Sequence, residues 1–182
     1  MPSFRVGLGF DVHPFVHDAL REHDRGEDAR AEGDGGALVL GGVTIPDVPG
    51  LSGHSDADVV AHAVADAILG PAGLPDLGTL FPASDDSYRG AVSLEILRDV
   101  VGRVKHEGWW VVNVDVVIAA ERPALAPHID EMARNLTEVL RAAQEPMGSG
   151  VVVTIKPKRG EGVGAIGRGE GIAVWAVALL ER

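Results

Sequence analysis

Not one of the 182 residues is cysteine. That excludes disulfides, thiolate nucleophiles and cysteine-built structural zinc sites, so any transition metal must rest on histidine and carboxylate ligands. Positive charge is also scarce: 16 Lys and Arg stand against 27 Asp and Glu, a formal net charge of −11. A nucleic-acid backbone is therefore a poor partner, and an anionic substrate needs local cations or a metal to hold it. No apolar run approaches the ~18 residues that cross a bilayer. The opening MPSFRVGLG lacks the cationic start and apolar stretch of a secretory leader. A cytoplasmic protein without membrane or nucleic-acid partners is expected. The length suits a single catalytic domain with a proper core, 46% of residues being apolar.

What is present alternates along the chain. FRVGLGF, from Phe4, reads as a short strand entering a core. ALVLGG and VTIP read as a hairpin about Gly41 and Gly42. Apolar periodicity predicts helices over about Ser55–Leu69, Ser93–Glu107 and Pro127–Ala143, and a turn-rich stretch with Pro71, Pro75 and Pro82 follows the first. WWVVNVDVVIAA and VVVTIK have the β-branched density of strands, while GIAVWAVALL suits strand or helix. Strands interleaved with helices predict an α/β or α+β sandwich with helices on a sheet. Val16–Gly36 is rich in Asp, Glu, Arg, Gly and Ala and reads as a mobile surface insertion, with His17 and His23 in solvent.

Two short stretches carry chemistry. GFDVHPF sets Asp11 and His13 two apart at a strand end, where side chains at i and i+2 share a face. A turn with Asp11 bonded to backbone and His13 in solvent is the plain reading of such a triplet. In GHSDADVVAHAVADAILG, Ser55 and Asp58 have the spacing of a capping box that opens a helix, which gives Asp58 a structural task. His54 then stands beside a helix N-terminus, where amide groups favour an anion. His62 shares a helix face with Asp58 and Asp66. Asp11, His13 and His62 together supply two imidazoles and one carboxylate, the donor set of a catalytic zinc site with an open fourth position. An ordinary surface or core histidine is the alternative for His62, and spacing alone leaves both open. Gly162, Gly164 and Gly167 spell G-x-G-x-x-G, but only 15 residues follow Gly167, too few for a dinucleotide-binding unit. These glycines read as a tight loop.

GFDVHPF, GHSDADVVAHAVADAILG, PDLGTLFP, NVDVVI and GRGEGIA, in that order, resemble the 2-C-methyl-D-erythritol 2,4-cyclodiphosphate synthase family of non-mevalonate isoprenoid biosynthesis. The resemblance spans nearly the whole chain apart from the acidic stretch. It implies an α+β two-layer sandwich of ferredoxin-like type, a mixed sheet with helices on one face, forming a homotrimer with active sites between subunits. It also implies an intramolecular phosphoryl transfer. The 2-phosphate of 4-diphosphocytidyl-2-C-methyl-D-erythritol 2-phosphate attacks the β-phosphorus, forming the cyclic diphosphate and expelling CMP.

In that family's terms Asp11, His13 and His62 hold a divalent transition metal of zinc type. Glu161 holds a second divalent ion, Mg²⁺ or Mn²⁺, on the substrate diphosphate. His54 stabilises phosphate, with Ser55 beside it, and Asp76 and Gly78 bind the ribose. Phe81 and Asp85 fall at the erythritol and phosphate end. The loop Ala120–Pro127 reads cytosine through its backbone, which brings in Ala120, Pro123, Leu125 and Ala126. Lys158 and Arg159 meet the diphosphate, and Arg168 with Glu170 lies near a subunit contact. Four positions depart from the pattern: Arg159 replaces a common hydroxyl, Ala165 an aromatic, Ala124 a lysine and Ala83 an acid. Arg159 either grips phosphate with a guanidinium fork or points to solvent. Two other functions remain open, a metal-dependent phosphoesterase and a non-catalytic oligomeric binding protein with a vestigial metal site.

Overall fold

Alternation along four strands decides which way their side chains face, and among the described residues the main helices pack against one of the two faces. The computed structural model describes residues 1–16, 36–53, 55–85, 88, 90–146 and 150–182. The expected insertion therefore lies, over 17–35, outside the described residues, as does His54. The described elements run β1 (Phe4–Pro14), β2 (Ala37–Leu40), β3 (Val43–Pro49), α1 (Val59–Ala72), α2 (Leu77–Leu80), α3 (Ser93–His106) and β4 (Trp110–Ala119). A 3-10 turn at Ala126–His128 leads into α4 (Ile129–Ala143), β5 (Val152–Lys158), α5 (Gly164–Gly167) and β6 (Gly171–Glu181).

The main sheet has the order β1-β6-β4-β5, and β2 pairs with β3 as a separate hairpin. β6 is antiparallel to both β1 and β4, whereas β4 and β5 are parallel. A parallel pair needs a crossover, and α4 supplies it. The main elements thus run β-α-β-α-β-β. This corrects the ferredoxin-like expectation, whose order is β-α-β-β-α-β. What holds of that expectation is a mixed sheet with its helices on one face. The run GIAVWAVALL resolves as β6: inserted between two strands, it buries Ile172, Val174, Ala176, Ala178 and Leu180 on the helix side. A central strand shows near-continuous apolar sequence, so periodicity does not separate it from a helix.

Helix α1 lies directly on β1. A Cβ on Gly9 would stand 1.9 Å from the Ala63 carbonyl oxygen, and one on Gly7 would stand 2.0 Å from that of Ala67. Only glycine permits this approach, and it sets the depth at which α1 side chains meet the strand. The opposite face of β1 and β6 is apolar and uncovered: Val6 is 69% exposed and Leu8 66%, with Phe10 and Trp175 in ring contact at 5.1 Å.

Helix α1 begins at Val59 rather than Ser55, and its N-cap is Asp58 itself. The carboxylate is fully buried and accepts from the backbone N–H groups of Gly41, Gly42, Val60 and Ala61 at 2.7–3.1 Å. Such a buried acid needs several donors, and these four tie the hairpin turn to the helix start. Ser55 accepts from Ala57 N–H and stays in the preceding loop. Helix α1 also runs through Pro71, read above as part of a turn, and stops at Gly73 in the left-handed region. Pro127 belongs to the 3-10 turn before α4 rather than to that helix.

Three details hold the sheet's ends. Buried Gln144 exchanges two hydrogen bonds with the Val111 backbone where β4 is irregular. Ser3 and Arg182 exchange two backbone hydrogen bonds. Trp109 is buried with the guanidinium groups of Arg5 and Arg182 over its ring at 4.4 and 4.7 Å. Among the described residues no helix is long and apolar enough to cross a membrane.

Candidate metal centre and active site

The end of β1 delivers Asp11 and His13 to one face, as the i, i+2 spacing requires. Close packing of α1 on Gly9 brings His62 to the same point. Asp11 Oδ2 lies 3.1 Å from His13 Nε2 and 3.1 Å from His62 Nδ1. One donor atom from each of the three residues lies within 4.8 Å of the others. The far ring nitrogens are engaged from behind. His13 Nδ1 donates to the Ser52 carbonyl at 2.5 Å, and His62 Nε2 meets Ser93 Oγ at 3.0 Å. The two remaining nitrogens therefore converge on one carboxylate oxygen, an arrangement that fits a divalent ion with a coordination position open to the cavity. Burial alone would raise the Asp11 carboxyl, but hydrogen bonds and charge from His13 and His62 hold it well below the usual carboxylate range. The bond to Asp11 raises His13 against the effect of burial. A proton between these rings and Asp11 would stand where a cation would, so the two would compete.

This cluster opens into a cavity of about 300 Å³ lined also by Ser55, Gly78, Phe81 and Asp85, and by Ala83, Tyr88 and Asp66. Asp66 Oδ1 accepts from Leu77 N–H at 2.8 Å. Burial pushes the Asp66 carboxyl up, and the nearby charges of Asp76 and Asp11 add to that. Asp76 caps α2, taking the Thr79 N–H at 2.9 Å and its hydroxyl at 3.0 Å, which hold its carboxyl low. Phe81 and Tyr88 stack edge to face at 5.3 Å.

A second cavity, about 430 Å³, is lined by Ala120, Pro123, Leu125, Ala126, Lys158 and Arg159, together with Glu121 and Arg122. It shares no lining residue with the first. Arg159 is 67% exposed and pairs with Glu121 at 2.5 Å, and Gly160 N–H donates to the other Glu121 oxygen at 3.1 Å. The pairing lowers the Glu121 carboxyl and raises the Arg159 guanidinium. Glu161 lines neither cavity and holds φ at 51°, a left-handed value rare outside glycine. Arg168, also outside both, donates to Glu170 at 2.7 Å. The glycines after β5 do form a tight loop: a Cβ on Gly160 would meet Gly167 N at 2.4 Å. Sequence reading missed Ser52, Asp56, Ser93 and Glu121, polar residues that acquire roles only through partners far along the chain.

The YgbB family model matches residues 4–181. A 2-C-methyl-D-erythritol 2,4-cyclodiphosphate synthase of Bordetella petrii is 46% identical over 179 residues, 98% of this chain and 96% of that relative. Among solved structures, the bifunctional IspDF from Campylobacter jejuni aligns with a TM-score of 0.79 at 32% identity, over 100% of this chain and 43% of that longer one. A Plasmodium falciparum IspF, solved as a CDP complex, aligns with a TM-score of 0.71 at 27% identity, over 98% and 96% of the two chains. A family match across all the strands, with a near-full-length relative at this identity, means that the chain belongs to the YgbB family of 2-C-methyl-D-erythritol 2,4-cyclodiphosphate synthases.

Proposed function

We propose that the chain converts 4-diphosphocytidyl-2-C-methyl-D-erythritol 2-phosphate to 2-C-methyl-D-erythritol 2,4-cyclodiphosphate and CMP, acting as a phosphorus–oxygen lyase in isoprenoid precursor biosynthesis. The observation that carries this reading is the convergence of Asp11, His13 and His62 beside a cavity that also offers Ser55, Gly78, Phe81 and Asp85. A bond forms between a 2-phosphate oxygen and the β-phosphorus, and the bond from that phosphorus to the bridging oxygen breaks, so the electron pair leaves with CMP. The attacking oxygen is already anionic, so positioning and charge stabilisation suffice without a strong base. Asp11, His13 and His62 would hold a divalent transition metal, zinc in our reading, and Glu161 a magnesium or manganese ion; bound there, such ions withdraw charge from phosphoryl oxygens.

We assign His54 and Ser55 to the phosphate, Asp76 and Gly78 to the ribose, and Phe81 and Asp85 to the erythritol end. Ala120, Pro123, Leu125 and Ala126 would receive cytosine, and Lys158 and Arg159 the diphosphate. One substrate with an erythritol end and a cytidine end has to touch both cavities. Family resemblance implies a homotrimer with active sites between subunits, and we infer one here, one subunit giving the triad and its neighbour the loop, with Arg168 and Glu170 at the contact. The uncovered apolar face of β1 and β6 supports such assembly. We treat the chain as one catalytic domain and expect it in the cytoplasm.

Incubation with the cytidyl substrate, followed by phosphorus NMR, tests the assignment. Cyclic diphosphate and CMP in equal amounts are expected. Open-chain hydrolysis products would mark a phosphoesterase, and no turnover a binding protein. Light scattering that showed an active monomer would end the trimer proposal.

A further inference from the structure

Behind His62 lies a hydrogen-bonded series that sequence spacing does not reveal. His62 Nε2 is 3.0 Å from Ser93 Oγ, and Ser93 Oγ donates to Asp56 Oδ1 through a short bond. Ser93 is 1% exposed, at the first position of α3. The residue before it, Val92, makes no side-chain cap, and Asp56 Oδ2 takes the Ser93 N–H instead at 3.0 Å. A single carboxylate from the loop before α1 thus holds both polar groups of Ser93. Asp56 Oδ1 further accepts from Asp58 N–H at 3.3 Å, and Asp56 N–H donates to Ala91 O at 3.2 Å. Side chain and backbone of Asp56 together tie the loop before α1 to the start of α3.

The direction of this series follows from chemistry. An ionised carboxylate only accepts hydrogen bonds. The one Ser93 hydroxyl proton must therefore go to Asp56, which leaves Ser93 Oγ to accept from His62. The proton of neutral His62 then sits on Nε2, and Nδ1 turns its lone pair towards Asp11. The Ser52 carbonyl, also acceptor-only, does the same for His13 by taking its Nδ1 proton. Ser55 Oγ, 3.3 Å from both His62 Nε2 and Ser93 Oγ, closes the side of the series towards the cavity.

We propose that Ser93 and Asp56 are positioning residues that fix the ring orientation and tautomer of His62 and so raise the affinity of the triad for a divalent metal. The inference rests on the metal-binding reading of Asp11, His13 and His62, and deepens it. It also joins the segment carrying Ser55 to the start of α3 through the same carboxylate, so displacement of Asp56 would disturb metal ligand and cavity wall together.

The test measures Zn²⁺ affinity of the purified full-length chain by competition with a chromophoric chelator, and the visible ligand-field spectrum of the Co²⁺ form. Ser93→Ala and Asp56→Asn should each weaken Zn²⁺ binding roughly 10- to 100-fold, the usual effect of losing an outer partner of a metal ligand. Asn donates as well as accepts, so it removes the one-way order while leaving every hydroxyl in place, and it carries the test should Ser93→Ala fail to fold. Ser93→Thr keeps the hydroxyl and should restore affinity to within about threefold of wild type, with the Co²⁺ spectrum recovered. A folded Ser93→Ala or Asp56→Asn chain with wild-type affinity and spectrum would overturn the proposal. His62→Ala separates the two levels. If it binds Zn²⁺ as wild type does, the metal reading itself fails; if it loses the ion while Ser93→Ala keeps it, only the positioning series falls.

Discussion

The two cavities are built by opposite means. Around the triad both imidazoles are held from behind, His13 by the Ser52 carbonyl and His62 by Ser93, and Gly7 and Gly9 set the depth of α1. Around the 120–126 loop, order rests on Glu121, which joins exposed Arg159 to the Gly160 backbone. A solvated pair of this kind contributes little to stability. The first cavity is pre-set, as a metal ligand set has to be to bind tightly. The second can exchange one ion pair for contacts with an anionic ligand.

That contrast can be broken from either side. The largest effect should come from His62→Ala, which removes a converging donor. Bound divalent metal should be lost and CMP release should fall at least about 10³-fold, since a metal contributes several kcal/mol to such a transition state. Metal analysis beside a CMP assay, with circular dichroism to confirm folding, decides it. Chelator treatment of wild type should give the same loss, reversed by added Zn²⁺.

Next comes Gly9→Ala. Its Cβ has no room against the Ala63 carbonyl, so α1 must lift, at a cost of about 1–3 kcal/mol in denaturant unfolding. Metal affinity should fall with it, because His62 travels with α1. An unchanged midpoint would show that the strand–helix approach has slack.

On the other side, Arg159→Ala should lower kcat/KM about tenfold with metal content unchanged, a charge-assisted bond weakened by its exposure and its prior pairing with Glu121. A variant within about twofold of wild type would assign the guanidinium to solvent.

The smallest effect concerns pH. Burial raises the Asp66 carboxyl, so the folded chain holds that proton more tightly than the unfolded chain does. Stability is then fully present below the usual carboxylate range and declines as pH rises through the raised folded value. Asp66→Asn cannot ionise and keeps the Leu77 N–H bond, so it should match wild type in acid and become modestly more stable towards neutral pH. Urea midpoints of the metal-free chains at acid and neutral pH would show this. An equal difference at both would sink it.

The unequal legibility of the two regions has a physical cause. Asp11 and His13 announce themselves because strand geometry alone puts them on one face, and His62 because its helix is long and apolar. The motif that flags His62 also misplaces the helix start. Ser55 and Asp58 have capping-box spacing, but Asp58 collects four backbone donors and takes the cap for itself. No local pattern announces Ser93 or Asp56, since their meaning comes from contacts 31 and 37 residues apart. The β6 run is ambiguous because its outer face is apolar too, Trp175 and Val177 standing exposed opposite buried Val174, Ala176 and Ala178. The contact between Gly9 and Ala63 is likewise invisible until the helix is laid on the strand. The loop cavity is lined largely by Ala120, Pro123, Ala124, Ala126 and Pro157, side chains that carry no chemical signature.

The paired hydrogen bonds between Ser3 and Arg182 have a topological consequence. The first and last strands lie side by side, and Trp109 is clasped between an arginine from each end. A few glycines would join residues 3 and 182 without moving either strand. Val16 and Gly36 both bond to Gly50, N–H to carbonyl and carbonyl to N–H, so the chain could be reopened between them with both flanks still anchored. The sheet order would survive this rewiring, since none of its ladders depends on which residue comes first. The fold is in this sense a ring that happens to be cut beside Trp109.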